Sequence, residues 1–277
     1  MTPEDIVARL IYRDGLMLVI DKPPGLAVHK GPKGGESLED YFGALRFGLP
    51  RPPALAHRLD RDTSGCLVLG RHRKALAALG RLFKSGQVGK TYWAVVAGGP
   101  PQDQGRIELP LGRKDATRGW WMKHDPSGQP AVTMWKVMGR TRLPSAVSDE
   151  SHDVAWLVLE PLTGRTHQLR VHCAAMGWPI IGDSVYGSAP RTGAPGLNLH
   201  AREVVVPLYK NRAPIRVSAP VPSHMHHLLR ACGWGATRSP TDCDVAPASC
   251  ALRSVQRRFQ ARGCGTVVGL AAELAVG

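Results

Sequence analysis

The tightest constraint on the fold is a cadence of short β-forming runs, each stopped by proline, glycine or a charged turn before it grows long. Ile6–Tyr12 and Leu16–Ile20 are apolar runs joined by Asp14-Gly15, a dipeptide suited to a tight hairpin turn. Lys22-Pro23-Pro24-Gly25 must then leave the ladder, because proline has no N–H to give it. Cys66–Gly70, Tyr92–Ala97, Arg106–Leu111, Ala131–Val137 and Val154–Glu160 read as strands, with more β material at Val204–Pro207 and Ile215–Ala219. Helical patterns are few. Ser37 caps a helix reaching about Phe47, with Glu39 and Asp40 in its first turn, and Pro50–Pro53 breaks the chain after it. Lys74–Phe83 carries helical spacing at Leu76, Leu79, Leu82 and Phe83, and Thr166–Met176 reads as a helix capped by Thr163 or Thr166. Strands in runs with interspersed helices predict an α+β fold, its central sheet mostly antiparallel or mixed and flanked by helices and loops.

The patterning fades near Gly235. Residues 236–277 have no periodicity or core of their own and read as an appended, disordered tail behind a body spanning 1–235. The net charge is +14, and the tail's five Arg and three acidic residues account for only +2, leaving +12 on the body. An excess of that size without a concentrated basic block points to a polyanionic partner such as nucleic acid. Cysteines 66, 173, 232, 243, 250 and 264 match no zinc or disulfide spacing. The N-terminus lacks the layout of a signal peptide, and no apolar run approaches the roughly 20 residues that span a bilayer. The expectation is a cytoplasmic protein without membrane association.

Three segments place polar groups where a plain core would have apolar ones. His57-Arg58-Leu59-Asp60-Arg61-Asp62-Thr63-Ser64-Gly65 surrounds two carboxylates with cations, which favours their ionised form. Such a carboxylate on a loop between apolar strands can serve as nucleophile or base, or it can be a surface turn laced with weak ion pairs. Thr163-Gly164-Arg165-Thr166-His167-Gln168-Leu169-Arg170-Val171-His172 gathers Arg and His at a helix entry, an arrangement suited to an anion. Lys90-Thr91-Tyr92-Trp93 puts Tyr92 and Trp93 on alternate faces of a strand, one inward and one outward, where a Tyr can stack on a base or pack in the core.

Taken together, these segments closely resemble the RluA family of RNA pseudouridine synthases. His57–Gly65 is similar to that family's catalytic-aspartate signature, and Lys90-Thr91-Tyr92 to its tyrosine motif. Thr163–His172 followed by 179–187 resembles its third motif, Leu18–His29 its first, and Leu199-His200-Ala201 its later strand entry. The resemblance covers roughly 14–222.

The resemblance implies isomerisation of uridine to pseudouridine in structured RNA, ribosomal or transfer RNA, by a monomer with no cofactor, no metal and no obligatory protein partner. Asp60 matches the catalytic aspartate, which attacks the ribose or assists glycal formation. Tyr92 matches the tyrosine that stacks on the flipped uracil and accepts a proton, and Arg170, in preference to Arg165, matches the cation paired with the aspartate. Arg58 matches the arginine that fills the space left by the extruded nucleotide. His57, Arg61, Thr63, Arg165, His167, Gln168 and Leu169 are expected to contact substrate or RNA. In 113–124, Trp120, Trp121 and Lys123 suit a loop that grips RNA backbone and stacks on bases, or a hairpin whose Trp pair packs on the sheet. Motifs beginning near residue 14 leave no room for the small RNA-binding domain that precedes many relatives, so targeting is expected to rest on the catalytic domain's own surface. Two rivals remain: an RNA-binding helper without catalysis, against which Asp60, Tyr92 and Arg170 all stand, and a glycosidase pairing Asp60 with Asp62 or Asp183, which the strong basicity disfavours.

Overall fold

The computed structural model describes residues 1–31, 34–114, 121–144, 151–190 and 196–235. These lie within one compact unit, Met1–Ala236. The tail expected over 236–277 and the expected contact at Trp120 lie outside the described residues.

The chain opens on helix α1 (Pro3–Ala8), then strands β1 (Leu10–Arg13) and β2 (Met17–Lys22). The start of the strand expected over Ile6–Tyr12 is therefore helical. Thr2 and Asp5 form a reciprocal capping box around Pro3, and that local signal outweighs the β-rich composition. The Asp14-Gly15 turn is present, with Asp14 Oδ1 accepting from the Leu16 and Met17 amides, both at 2.8 Å. A 3-10 helix (Leu38–Leu45), with Asp40 accepting from the Ser37 amide, stands where an α-helix was expected. Next come β3 (Ala54–Leu55), β4 (Ser64–Gly70), α2 (Arg73–Lys84), β5 (Gly89–Ala97), β6 (Gln104–Glu108), β7 (Leu111–Arg113), β8 (Met122–His124), β9 (Val132–Pro144) and β10 (Ser151–Pro161). Helix α3 (Gln168–Ala175), β11 (Leu199–Val206), β12 (Ile215–Ser218) and α4 (Ser223–Ala231) close the body. The last helix was not among the expected elements, although Met225, Leu228, Leu229 and Cys232 stand at helical spacing.

Ten strands form one mixed sheet with the path β1-β2-β4-β11-β5-β10-β9-β6, β3 pairing with β4 and β12 with β11; β7 and β8 pair separately. Every pairing between these strands is antiparallel except β4 with β11, where His200 lies opposite Ser64 and Ala201 opposite Gly65. That junction needs Gly65. Its φ is +104°, and a Cβ there would lie 2.3 Å from the Ala201 carbonyl oxygen.

Both faces of the sheet are covered, which explains the unbroken apolar runs of β2 and β4. On one face Ala94, Val96, Leu157 and Leu159 pack with Leu169, Cys173 and Trp178 from α3 and the chain beyond it. On the other, Val95, Val154 and Trp156 pack with Met225 and Leu229 of α4. Trp93, expected to face outward if Tyr92 faces inward, packs into this second layer 4.7 Å from the Trp156 ring. In the N-terminal half, Leu18, Ile20, Leu67 and Leu69 pack beneath Ile6 and the 3-10 helix, and Val19, Val68 and Leu79 form the layer under α2. Tyr92 touches the cores of both halves, so it sits at their seam.

Candidate active site

The loop between β3 and β4 carries Asp60, and a buried lysine holds it in place. Lys22, wholly inaccessible at the end of β2, donates from Nζ to the carbonyls of Pro23 (2.7 Å), Arg61 (2.7 Å) and Thr63 (2.9 Å). Burial pulls its pKa down to about 7, while the nearby charges of Asp62 and Asp60 work against that fall. The Thr63 amide closes the turn on the Asp60 carbonyl at 3.2 Å, and Arg61 Nε donates to the Gly25 carbonyl at 2.8 Å. His57 accepts the Val68 amide proton on Nε2 (3.0 Å) and stacks on Phe83 at 4.4 Å. Burial lowers its pKa to about 3, so it is a neutral strut of the loop.

Asp60 itself is partly accessible, and each of its carboxylate oxygens faces a separate partner. His167 Nε2 is 3.8 Å from Oδ1, and Arg170 Nη1 is 3.9 Å from Oδ2. Arg170 is fixed from behind: Nε and Nη2 donate to the two oxygens of Asp183, both at 2.7 Å. Asp183 is 1% exposed, and its Oδ1 also accepts from the Val185 and Tyr186 amides. Burial by itself pushes the Asp183 carboxyl up, but the bonds and charge of Arg170 and the two amides outweigh it, and the net shift is downward. The Arg170 guanidinium is conversely held in its charged form by Asp183 and Asp60 despite burial. The Tyr186 ring lies 5.2 Å from the Arg170 guanidinium carbon. Its hydroxyl accepts from the Met122 amide (3.0 Å) and lies 2.8 Å from His167 Nδ1.

Tyr92, on β5 between Ala201 and Leu159, faces the same place. Burial first, then the charge of Asp60, raises its pKa, so the phenol is protonated at neutral pH. Two residues earlier on the same face of the strand, Lys90 donates to the Thr163 carbonyl at 3.3 Å, and burial lowers its pKa to about 8.

Arg170, expected in preference to Arg165, is the arginine beside Asp60, at 3.9 Å, while Arg165 is exposed and donates from Nε to the Pro130 carbonyl at 3.1 Å. Other expected contacts are placed differently. Gln168 is buried and braces its own loop, accepting from the Thr163 hydroxyl (2.7 Å) and the Arg165 amide (3.0 Å) while donating to the Val132 carbonyl and the Thr133 hydroxyl. Leu169 is in the core and Thr63 is 2% exposed, so neither offers RNA a surface; hydrogen-bonding and packing needs inside the protein use them instead. The helix cap is His167 rather than Thr163 or Thr166, in the left-handed region at φ 53° and ψ 18°. Arg58, Arg61 and Lys123 are exposed; Trp121 is half-buried, with Lys114 Nζ 5.1 Å from its ring. Tyr186 and Lys22 are site residues to which reading the sequence for chemistry gave no role of their own, and Asp183 was weighed only as a second carboxylate for a glycosidase, not as the anchor of Arg170. Their visible signals are a lysine closing the β2 run just before Pro23 and the Gly-Asp-x-x-Tyr-Gly pattern at Gly182–Gly187.

Among the described residues no group of three or more His, Cys, Asp or Glu side chains could hold a metal ion, and no helix is long and apolar enough to cross a membrane. Residues 16–175 match the model of a family described as RNA pseudouridylate synthase. An uncharacterized RNA pseudouridine synthase of Zymomonas mobilis is 40% identical over 219 residues, covering 78% of this chain and 95% of the relative. The ribosomal large subunit pseudouridine synthase D of Xanthomonas campestris is 35% identical over 247 residues, covering 83% of this chain and 72% of its own length. The solved structure of human RNA Pseudouridylate Synthase Domain Containing 1 superposes with a TM-score of 0.65 at 28% identity, covering 80% of this chain and 86% of that one.

Proposed function

This chain belongs to the RluA-type RNA pseudouridylate synthase family and is an isomerase of uridine in RNA; on that premise we propose that Asp60 is its nucleophile, acting on a flipped-out uridine of ribosomal or transfer RNA. The observation that carries the assignment is the partly accessible Asp60 carboxylate set 3.9 Å from an arginine that Asp183 locks in place. The reaction breaks the bond from uracil N1 to ribose C1′ and makes one from C5 to C1′, with the C5 proton leaving. Asp60 attacks the ribose or assists glycal formation, and the fixed charge of Arg170 offsets the cost of keeping it ionised as RNA closes the site. Tyr92 supplies a stacking face for the uracil. As a protonated phenol it can accept the C5 proton only in exchange for its own.

Taking uridine out of a stack costs a few kcal/mol. Exposed Arg58, two residues before Asp60, fills the vacated space and offsets part of that. Arg61, Arg165 and Lys123, exposed around the loop and the β7–β8 hairpin, supply contacts to the RNA backbone, with Trp121 beside them. The catalytic domain is 1–235, and 236–277 is an appendage that turnover does not need. The enzyme works as a monomer in the cytoplasm; the free thiols of Cys66, Cys173 and Cys232 suit a reducing compartment.

The test is pseudouridine mapping on total RNA from cells with and without the gene, read as reverse-transcription stops at carbodiimide adducts. One or a few stops should vanish on deletion, then return with the wild-type gene and not with Asp60→Asn. Stops restored by Asp60→Asn would remove Asp60 from the chemistry, and an unchanged map would favour an RNA-binding helper.

A further inference from the structure

The hydrogen bonds behind His167 run in one direction, from the Met122 amide through Tyr186 to the imidazole. The Met122 amide can only donate, so at 3.0 Å it gives its proton to the Tyr186 oxygen. Among the described residues the Tyr186 hydroxyl proton has no acceptor other than His167 Nδ1 at 2.8 Å, so donation to that nitrogen is the arrangement that satisfies the hydroxyl. An Nδ1 that accepts has no proton, so the neutral imidazole carries its proton on Nε2. Nε2 is the atom 3.8 Å from Asp60 Oδ1. We propose that Tyr186 and His167 are positioning residues for the nucleophile, a chain that locks His167 with its Nε2 proton aimed at the Asp60 carboxylate.

Burial pushes the His167 pKa down, against the pull of Asp60, and Arg170 pushes the same way as burial; Asp183 and Arg58 are the other charges facing the ring. The imidazole is therefore neutral at working pH, as the chain requires. Its backbone stands in the left-handed region at φ 53°, a conformation that non-glycine residues adopt rarely and that here turns the ring onto Asp60. His167 and Arg170 together straddle the carboxylate, one per oxygen, each less than about 1 Å beyond hydrogen-bond reach. Closure on RNA brings both into reach and fixes which oxygen lone pair points at the ribose. The hydroxyl of Tyr186 thus sets the aim of Asp60 without touching it, while its ring supports Arg170.

This inference rests on Asp60 being the nucleophile, and the experiment separates the two. Isomerisation removes the hydrogen at uracil C5, so total RNA labelled with tritium at uridine C5, from cells lacking the gene, releases tritium to water in proportion to turnover. Tyr186→Phe keeps the ring over Arg170 and deletes only the hydroxyl. At saturating RNA it should be slower by roughly 10- to 100-fold, the size of the His167 hydrogen bond to the charged Asp60 carboxylate that an unlocked ring no longer makes, with KM within about twofold. His167→Leu should be slowed as much, and His167→Gln, which can offer an N–H at the same reach, should recover most of the rate. Nitrogen-15 spectra of the wild type, with the His167 ring signals identified by their loss in His167→Gln, should show an unprotonated Nδ1 and a protonated Nε2. A protonated Nδ1 overturns the proposal, and so does wild-type turnover in Tyr186→Phe beside a dead Asp60→Asn. Full turnover in Asp60→Asn sinks the nucleophile assignment itself, and this proposal with it.

Discussion

Replacing Asp183 with Asn should cost stability in a way that depends on acidity. The carboxylate is inaccessible and bonds Arg170 through both oxygens at 2.7 Å, so the substitution strands a buried guanidinium. Removing one partner of a buried pair costs about 3–5 kcal/mol, and the amide oxygen of Asn keeps one acceptor, which sets the expectation near 3 kcal/mol at pH 7. The folded carboxyl titrates below its unfolded value of about 3.9. Its contribution is therefore fully present above that unfolded value and is lost as pH falls through the lower, folded one. Urea unfolding of wild type and variant at a series of pH values reads this directly. The gap between them should be flat from pH 8 to about 5 and shrink below about 4. On the role proposed for Asp60, turnover should also fall, because a freed Arg170 can swing onto its carboxylate and hold it down. A gap below about 1 kcal/mol at pH 7, or one unchanged into acid, would refute the view that Asp183 is an ionised anchor.

Other substitutions probe the frame around the site. Lys22→Met leaves three loop carbonyls without their donor and should cost at least about 2 kcal/mol, with slower turnover. Lys22 titrates near 7 when folded and about 10.4 when unfolded, so the unfolded chain binds more protons between those values and wild-type stability rises with pH there relative to the variant; parallel curves in denaturation series would count against it. Gly65→Ala forces a side chain to φ +104° and a Cβ to 2.3 Å from the Ala201 oxygen, and should cost at least about 3 kcal/mol; a wild-type unfolding midpoint would show that the junction yields. A chain ending at residue 235 should release tritium within a few-fold of the full chain, and a larger loss would give the tail a function.

The body's fold was legible where local chemistry was unambiguous. The Asp14-Gly15 turn, the α2 pattern and the runs that became β4, β5 and β10 all lie where periodicity and turn residues put them. Ile6–Ala8 was misread because a capping box two to five residues into the chain outweighs β composition, and α4 was passed over although Met225, Leu228 and Leu229 carry helical spacing in its single short stretch. At the site, the loop with Asp60 and the helix entry with Arg170 were visible as clusters of charge. Their partners were not. Asp183 and Tyr186 reach Arg170 and His167 only through tertiary folding, and Gln168, Leu169 and Thr63 resemble contact residues in sequence although the interior uses them.

The parallel join between β4 and β11 also bears on when the enzyme can first work. Ser64 and His200, bonded across that join at 2.9 Å, are 136 residues apart in the chain. At roughly 5–20 residues per second of synthesis, the Asp60 loop leaves the ribosome on the order of ten seconds before the strand that completes its seam. Through that interval the loop has its Lys22 clamp but not the β11 edge against which Tyr92 is set. The seam that Tyr92 occupies is thus completed only by about the last sixth of the body, well after the loop that carries Asp60 has been made.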